Sequence, residues 1–309
     1  MSATSTSQKS DGTAALPLNL DDYHVVNLLG HGAGSTIYTV CRRGSLQRFA
    51  LKHVVCHTDR EVRLIEQLRT EMEVGQHVTH PGLRRSIDFC VHRTWLWAPR
   101  EALLLLELAP GAPLQTQAPA ALTDLIDCFI QVAKALHSLH QSGFAHCDLK
   151  PNNILLTPAG EVTVIDLGQA CPLGTKKPRI QGTPDYIAPE QVHCQPCDAR
   201  TDVYNFGATL YWALCHKNFP TLYTLSREDN SFLLDARIPS PHDVNPVVPQ
   251  TLSNLVMECV RIKPDKRPQS MEDVARRLEI IYFSLTHRLP HNAEENSQPH
   301  HAEKPQPLH

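Results

Sequence analysis

Residues 144–156 read FAHCDLKPNNILL. Asp148, Lys150 and Asn153 fall on a proline-containing loop between an apolar helical stretch and an apolar strand-like one. Beyond a turn marked by LeuThrProAlaGlyGlu, the run ValThrValIleAspLeuGly carries a second acid, Asp166, at its end. An amide oxygen and a carboxylate are hard ligands of the kind Mg²⁺ takes while it bridges phosphate oxygens. A separate carboxylate accepts a hydroxyl proton, and a lysine stabilises charge on a transferred group. Asn153, Asp166, Asp148 and Lys150 supply these groups, so the stretch points to phosphoryl transfer.

Working outward, Leu122, Leu125, Ile126, Phe129, Ile130, Ala133, Leu136 and Leu139 repeat at helical period, with Gly143 as a stop. DVYNFGATLYWALC (202–215) is apolar nearly all round and reads as a helix inside a core; TLSNLVMECVRI and MEDVARRLEIIYFSL read as two more helices. The first hundred residues differ. YHVVNLL, IYTVCR, RFALKHVV, TrpLeuTrp (95–97) and ALLLLEL (102–108) are strand-like, with 98–101 as a turn and one charge-rich helical pattern over 59–78. A small sheet-rich part followed by a larger helical one predicts an α+β fold of two lobes around a cleft, where ligands bind.

Gly30-His-Gly32-Ala-Gly34-Ser35 lies between two strands rather than between a strand and a helix, so it fails as a dinucleotide fingerprint. Glycines in such a turn let backbone N–H groups approach phosphate oxygens, although a bare hairpin is the default for the motif alone. Lys52 ends the apolar run AlaLeuLys and needs an anion there: a ligand phosphate, or a carboxylate on the following helix. The alternative is a surface lysine on an edge strand.

Composition sets the bounds. The chain has 309 residues, 41% hydrophobic and 20% charged, with a formal net charge of −3. No basic stripe suggests nucleic acid. The run ALLLLELA (102–109) is too short to span a bilayer, and MSATSTSQKSDGTAA lacks a signal peptide's apolar core, so no membrane contact and a cytoplasmic location are expected. The ten cysteines are read as mostly buried thiols. Residues 1–19 and the polar, His-rich tail from about 286 cannot bury enough apolar area and are expected to be disordered, the tail being solvated rather than metal-binding.

Taken in order, the motifs resemble a eukaryotic-like (Hanks-type) bacterial serine/threonine protein kinase over residues 22–285. The glycine loop is LGHGAGSTIY, the strand lysine lies in FALK, the catalytic loop is HCDLKPNN, and AspLeuGly at 166–168 replaces the usual DFG. GTPDYIAPE (182–190) resembles the segment that docks peptide. Asp202 opens the buried helix, and Arg267 falls where the family pairs an Arg with the APE Glu, here Glu190.

The resemblance implies a bilobal kinase fold: an N-lobe with hinge over 20–109, a small antiparallel sheet plus one helix, and a mainly helical C-lobe over 110–285. It also implies ATP with Mg²⁺, Mn²⁺ being an admissible substitute, and a protein substrate with a Ser/Thr acceptor. Gly30, Gly32 and Gly34 would cover the phosphates. Lys52 would contact the α- and β-phosphates and pair with Glu71, Glu73 being the alternative. Asp148 would be the base, Lys150 would stabilise the γ-phosphoryl, and Asn153 and Asp166 would hold the metal. Leu106 would be the gatekeeper, Glu107 and Ala109 would meet adenine through backbone groups, and Ile37, Ala50 and Leu155 would sandwich the ring. AspLeuLysPro and GlyThrPro resemble the Ser/Thr branch rather than the tyrosine branch.

Several positions depart from the family pattern. Cys147 stands where HRD has its Arg, so the group that answers an activation-loop phosphate is missing. Activity without activation-loop phosphorylation is therefore expected, and Cys147 is read as a packing thiol rather than a redox sensor, because no cation adjoins it in sequence. Ser35 takes the third glycine's place and Leu167 that of the DFG Phe, both mild changes. Gly75, one turn after Glu71, implies a loose helix or a wrong register. Cys194-Gln-Pro-Cys197 lacks a second pair for zinc. Lys176, Lys177 and Arg179 read as a solvated loop face rather than a guide for acidic substrates. With no sensor segment evident, a regulatory protein partner, a ligand or expression level would supply the input. The rival readings are a nucleotide-binding pseudokinase or scaffold, and a small-molecule phosphotransferase.

Overall fold

Both faces of the leucine run are buried, which explains why that strand lacks polar alternation. Leu104 and Leu106 face one way with Ala50, Val54, Ile65 and Leu68, while Leu103 and Leu105 face the other with Val40, Phe49 and Leu51. The structure is a computed structural model that describes residues 20–32, 34–57, 59–94, 98–225 and 238–287. The TrpLeuTrp strand and the expected disordered ends lie outside the described residues, except for Thr286, which is helical, and His287 beside it.

The N-terminal part holds β1 (Tyr23–His31), β2 (Thr36–Arg42), β3 (Arg48–Val55), α1 (Asp59–His77), β4 (Ser86–Arg93) and β5 (Pro99–Glu107). The strands form one antiparallel sheet in the order β1-β2-β3-β5-β4, with α1 packed on the face that carries Leu104 and Leu106. Residues 99–101 are strand rather than turn. Glu101 pairs with Val55 and His92 in register, and its carboxylate meets both His53 (2.8 Å) and His92 (3.0 Å), so a polar end still extends the ladder.

The C-terminal part follows with β6 (Ala112–Pro113), α2 (Leu122–Gln141), β7 (Phe144–Ala145), β8 (Ile154–Leu156), β9 (Val162–Val164), β10 (Cys171–Pro172), β11 (Thr175–Lys176), α3 (Pro189–Val192), β12 (Pro196–Cys197), α4 (Ala199–Cys215), α5 (Leu222–Leu225), α6 (Pro241–Val244), α7 (Gln250–Cys259) and α8 (Met271–Thr286). Its core gathers the apolar faces of α2, α7 and α8 around α4, with Phe129 edge-on to Phe206 at 5.2 Å. Helix α4 starts at Ala199, capped by the Asp198 side chain, so Asp202 sits inside its first turn rather than opening it. The short pairs β7–β10 and β11–β12 carry no sequence periodicity but bring three distant segments together. The two parts meet where Leu83 bridges Val164: Arg84 N–H donates to the Val164 carbonyl (3.0 Å) and Val164 N–H to the Gly82 carbonyl (2.8 Å).

Candidate active site

Strand β3 presents Lys52 toward α1 and toward the end of β9. Its ammonium lies 2.9 Å from Glu71 Oε2 and 2.8 Å from Asp166 Oδ1. Glu71 is buried, whereas Glu73 is exposed, so the helix turns Glu71 inward. Burial alone would lower the Lys52 pKa; the carboxylates of Asp166 and Glu71 outweigh it and hold the pKa above the ordinary lysine value. Burial would likewise raise Asp166, but Lys52 beside it, with Arg84 and Lys150 further off, holds that carboxyl well below its usual range. Asp166 has φ +67°, a left-handed conformation unusual for a side-chain-bearing residue.

Glu71 is held from its other side as well. Arg84 Nη2–H donates to Glu71 Oε1 (2.8 Å), and Ser86 Oγ–H donates to the Glu71 carbonyl (2.8 Å). Gly75 explains how α1 comes this close to β4. A Cβ there would stand 2.3 Å from Ser86 Oγ and 2.9 Å from Ser86 Cβ. The helix is therefore continuous through Gly75 and tightly packed there, not loose. Arg84 and Ser86 carry no recognisable signal in the sequence.

Opposite this group, Asp148 Oδ2 meets Lys150 Nζ at 2.8 Å, and Asp148 Oδ1 accepts from Thr183 Oγ at 2.7 Å. Lys150 also donates to Thr183 Oγ at 2.9 Å. Asn153 donates its Nδ2–H to the Asp148 carbonyl (2.9 Å), which leaves its amide oxygen as the atom able to ligate a cation. The loop is anchored from below by Asp202, fully buried, which accepts from His146 N–H, Cys147 N–H and His140 Nε2–H, each at 2.7 Å. Burial would raise the Asp202 pKa, but the His140 hydrogen bond and nearby donors hold it below the ordinary carboxylate value. These bonds fix Cys147 at φ +63°.

Within the glycine loop Gly34 has φ +106°, and a Cβ there would stand 2.5 Å from Leu64 of α1, so the turn requires glycine at that point. Gly30 and Gly32 sit in and just after β1. Ile37 lies opposite Lys52 and Ala50 opposite Leu106 in the sheet, and Ala50 and Leu106 are buried in one cluster. Glu107 N–H is taken by the Arg85 carbonyl (3.0 Å) and is not free to donate elsewhere. Leu155 lies on β8, half-buried, on the C-terminal side of the same cleft. Far from the cleft, Arg267 grips Glu190 with two bonds (2.7 and 2.9 Å), both side chains buried, and its guanidinium lies 4.9 Å above the Tyr204 ring.

Among the described residues no group of three or more His, Cys, Asp or Glu side chains is arranged to hold a metal. That leaves zinc at Cys194 and Cys197 without a ligand set. It is compatible with an ion held by one amide and one carboxylate, since Mg²⁺ keeps waters and substrate phosphate oxygens as its other ligands. Lys177 is buried, not solvated: its ammonium donates to the Gln169 carbonyl.

The family model described as protein kinase domain matches residues 23–278. The chain is 31% identical over 268 residues to a DNA damage-responsive serine/threonine-protein kinase, RqkA, of Deinococcus radiodurans, covering 80% of this chain and 38% of that protein. It is 29% identical over 204 residues to serine/threonine-protein kinase PknA of Mycobacterium tuberculosis, covering 63% and 47%. It is 28% identical over 279 residues to serine/threonine-protein kinase ULK3 of Xenopus laevis, covering 88% and 57%. The chain thus spans less than half the length of the two bacterial relatives. No described helix is long and apolar enough to cross a membrane.

Proposed function

The chain belongs to the protein kinase family, and from that premise we propose that it transfers the γ-phosphate of ATP to Ser/Thr hydroxyls of protein substrates, itself included. The observation that carries this reading is the charge relay across the cleft: Glu71, Lys52 and Asp166 joined at 2.9 and 2.8 Å, facing Asp148 tied to Lys150 and Thr183. A nucleotide-binding scaffold has no need of all four of Lys52, Asp148, Asn153 and Asp166.

In this reading Gly30, Gly32 and Gly34 lay backbone N–H groups over the phosphates, and Lys52, pre-aligned by Glu71, neutralises two of them. Adenine lies between Ile37 and Ala50 above and Leu155 below, meets the Glu107 carbonyl and the Ala109 backbone, and is bounded by Leu106. Asn153 and Asp166 offer the oxygen donors for Mg²⁺, or Mn²⁺ in its place; the ion supplies charge neutralisation on the phosphates. Asp148 accepts the proton of the substrate hydroxyl, and Lys150 holds charge on the moving phosphoryl group. The Thr183 contact to both residues supports Ser/Thr over Tyr acceptors. Without the HRD arginine, activation-loop phosphorylation is not required, and a regulatory partner is a reasonable source of control. The folded unit is taken to run from residue 20 to Thr286, where α8 ends, one residue past the boundary at 285.

The test is label transfer from γ-labelled ATP with Mg²⁺ to the protein itself and to a generic basic protein, for wild type and Asp148→Asn. Label on Ser/Thr, reduced about 10²–10⁴-fold in the variant as for loss of a general base, is expected. ATP binding without label in either protein would replace the enzyme reading with a scaffold.

A further inference from the structure

The pocket left by the missing HRD arginine is filled by sulfur. Cys147 from the catalytic loop, Cys171 on β10 and Cys197 on β12 pack with Ala145 in one buried cluster. Their exposures are 0%, 7% and 1%, and Cys147 Sγ lies 3.7 Å from Cys171 Sγ. Nothing in the sequence spacing joins them. Cys171 is brought in by its register opposite Ala145, and Cys197 by its register opposite Thr175, with Gly174 N–H donating to the Cys197 carbonyl at 2.7 Å. Two buried charges act on this cluster in opposite senses: Lys177 favours the thiolate forms, and Asp202 opposes it at Cys147 and Cys171.

We propose that Cys147 and Cys171 are a modification site: a peroxide oxidises them to a disulfide that ties the catalytic loop to the activation segment. The tie falls where the family's arginine would lie, but it strains the catalytic loop instead of supporting it. The Cys171 sulfur attacks the peroxide, an S–O bond forms, the O–O bond breaks, and the leaving oxygen departs as an alcohol, or as water from hydrogen peroxide, with the thiol's proton. The Cys147 sulfur then attacks the sulfenic sulfur, the S–S bond forms, the S–O bond breaks, and water leaves with the second thiol's proton. Two thiols lose two electrons to one peroxide.

Cys171 is the more exposed of the pair. Its sulfur shares a thiol contact with Cys147 at 3.7 Å, in which either can donate, and such a contact stabilises whichever of the two is the thiolate. Its greater exposure, 7% against 0%, makes Cys171 the thiol that a peroxide reaches first and Cys147 the resolving thiol. Closing the sulfurs from 3.7 Å to the roughly 2.05 Å of a disulfide pulls on the residue next to Asp148, and displacements of about 1 Å near reacting groups cost up to about a hundredfold in rate.

The experiment treats the full chain with a modest excess of hydrogen peroxide, alkylates free thiols, and maps peptides before and after dithiothreitol. The expected result is one cross-linked pair, Cys147 with Cys171, lost on reduction and absent from Cys171→Ser. Label transfer by the oxidised wild type should fall at least about fivefold and return with dithiothreitol, while Cys171→Ser shows no reversible fall. Free thiols at both positions after oxidation, a bond from either to Cys197 or Cys194, or a bond that leaves transfer unchanged would overturn the proposal. The peptide map needs no transfer assay. Its failure leaves the kinase reading standing, and a cross-link in a protein without transfer would leave the site standing.

Discussion

Arg84 donates to Glu71 Oε1 at 2.8 Å, on the opposite oxygen from the one that meets Lys52 at 2.9 Å. Glu71 is 2% exposed, so its carboxylate has little water to fall back on and depends on both cations. With Asp166, the four side chains form a balanced set of two positive and two negative charges. This is the condition under which buried ions are tolerated.

The first prediction concerns that balance. Arg84→Met keeps the volume but leaves one oxygen of Glu71 without its donor. Stability should fall by about 1–3 kcal/mol, the cost of an unsatisfied buried polar group. The efficiency kcat/KM for ATP should fall about tenfold, a step of about 1.4 kcal/mol, because Glu71 is then free to turn from Lys52. Thermal unfolding and ATP-dependent label transfer check the two effects, with Arg84→Lys recovering part of each. Unchanged transfer at reduced stability would make Arg84 a packing residue only.

A second prediction follows from Gly75. On helix propensity alone, Gly75→Ala should gain about 1 kcal/mol. The new Cβ would fall 2.3 Å from Ser86 Oγ and 3.0 Å from Ser86 N, and backbone cannot swing aside as a flexible side chain does. We expect a net loss of about 1–3 kcal/mol, as for overpacking, together with weaker transfer as α1 is pushed off β4. The double variant Gly75→Ala/Ser86→Gly removes Oγ and Cβ but not the backbone contact, so it should recover only part of the loss in a melting experiment.

The contrast between Lys52 and Arg84 shows what the sequence could reveal. Lys52, Asp148, Asn153 and Asp166 were legible because each is a polar residue forced into an apolar run or a proline loop at a fixed spacing, and the lobes were legible from a change in hydrophobic period. Arg84 sits in GlyLeuArgArgSer beside a second arginine, and only the approach of α1 to β4 separates their roles. Gly75 looked like a defect because helix propensity is local while its reason, Ser86, lies on another element. The cysteine cluster was hidden for the same reason. Its members are 24 and 26 residues apart along the chain and are joined by two-residue strands too short to show a period.

The third prediction is a pH dependence. Asp202 accepts three hydrogen bonds at 2.7 Å while fully buried, and its folded pKa lies below the unfolded value. For a depressed carboxylate the unfolded chain binds the proton more readily. The stabilisation is therefore fully present above the unfolded pKa of about 3.9 and is lost as pH falls through the lower folded value. Between about pH 5 and 3 the unfolding free energy of the wild type should drop more steeply than that of Asp202→Asn, which cannot titrate there. Near neutral pH the variant should be less stable by about 3–5 kcal/mol, because it loses a buried, charge-assisted acceptor. Urea melts across this range read both, and parallel slopes for the two proteins would place the acid sensitivity elsewhere.

The last prediction concerns control. A phosphate on the activation segment acts by gathering cations, and the position that usually supplies the arginine is Cys147, with 0% exposure inside a thiol cluster. Lys177, the cation facing that cluster, is engaged with the Gln169 carbonyl. Protein stripped of phosphate should therefore transfer label at a rate within about twofold of the untreated protein, and Thr175→Ala, which keeps the backbone pairing of β11 with Cys197 and trims only a half-buried side chain, should behave alike. Thr183 differs, because its hydroxyl is bonded to Asp148 at 2.7 Å and to Lys150 at 2.9 Å. A negative group there faces the Asp148 carboxylate and competes for Lys150, so Thr183→Glu should lower transfer by about 10²-fold or more, on the scale of losing a general base. Phosphorylation of Thr183 would then switch the protein off. Activity that appears only after Thr175 is phosphorylated would require a cation other than Lys177 to reach that phosphate.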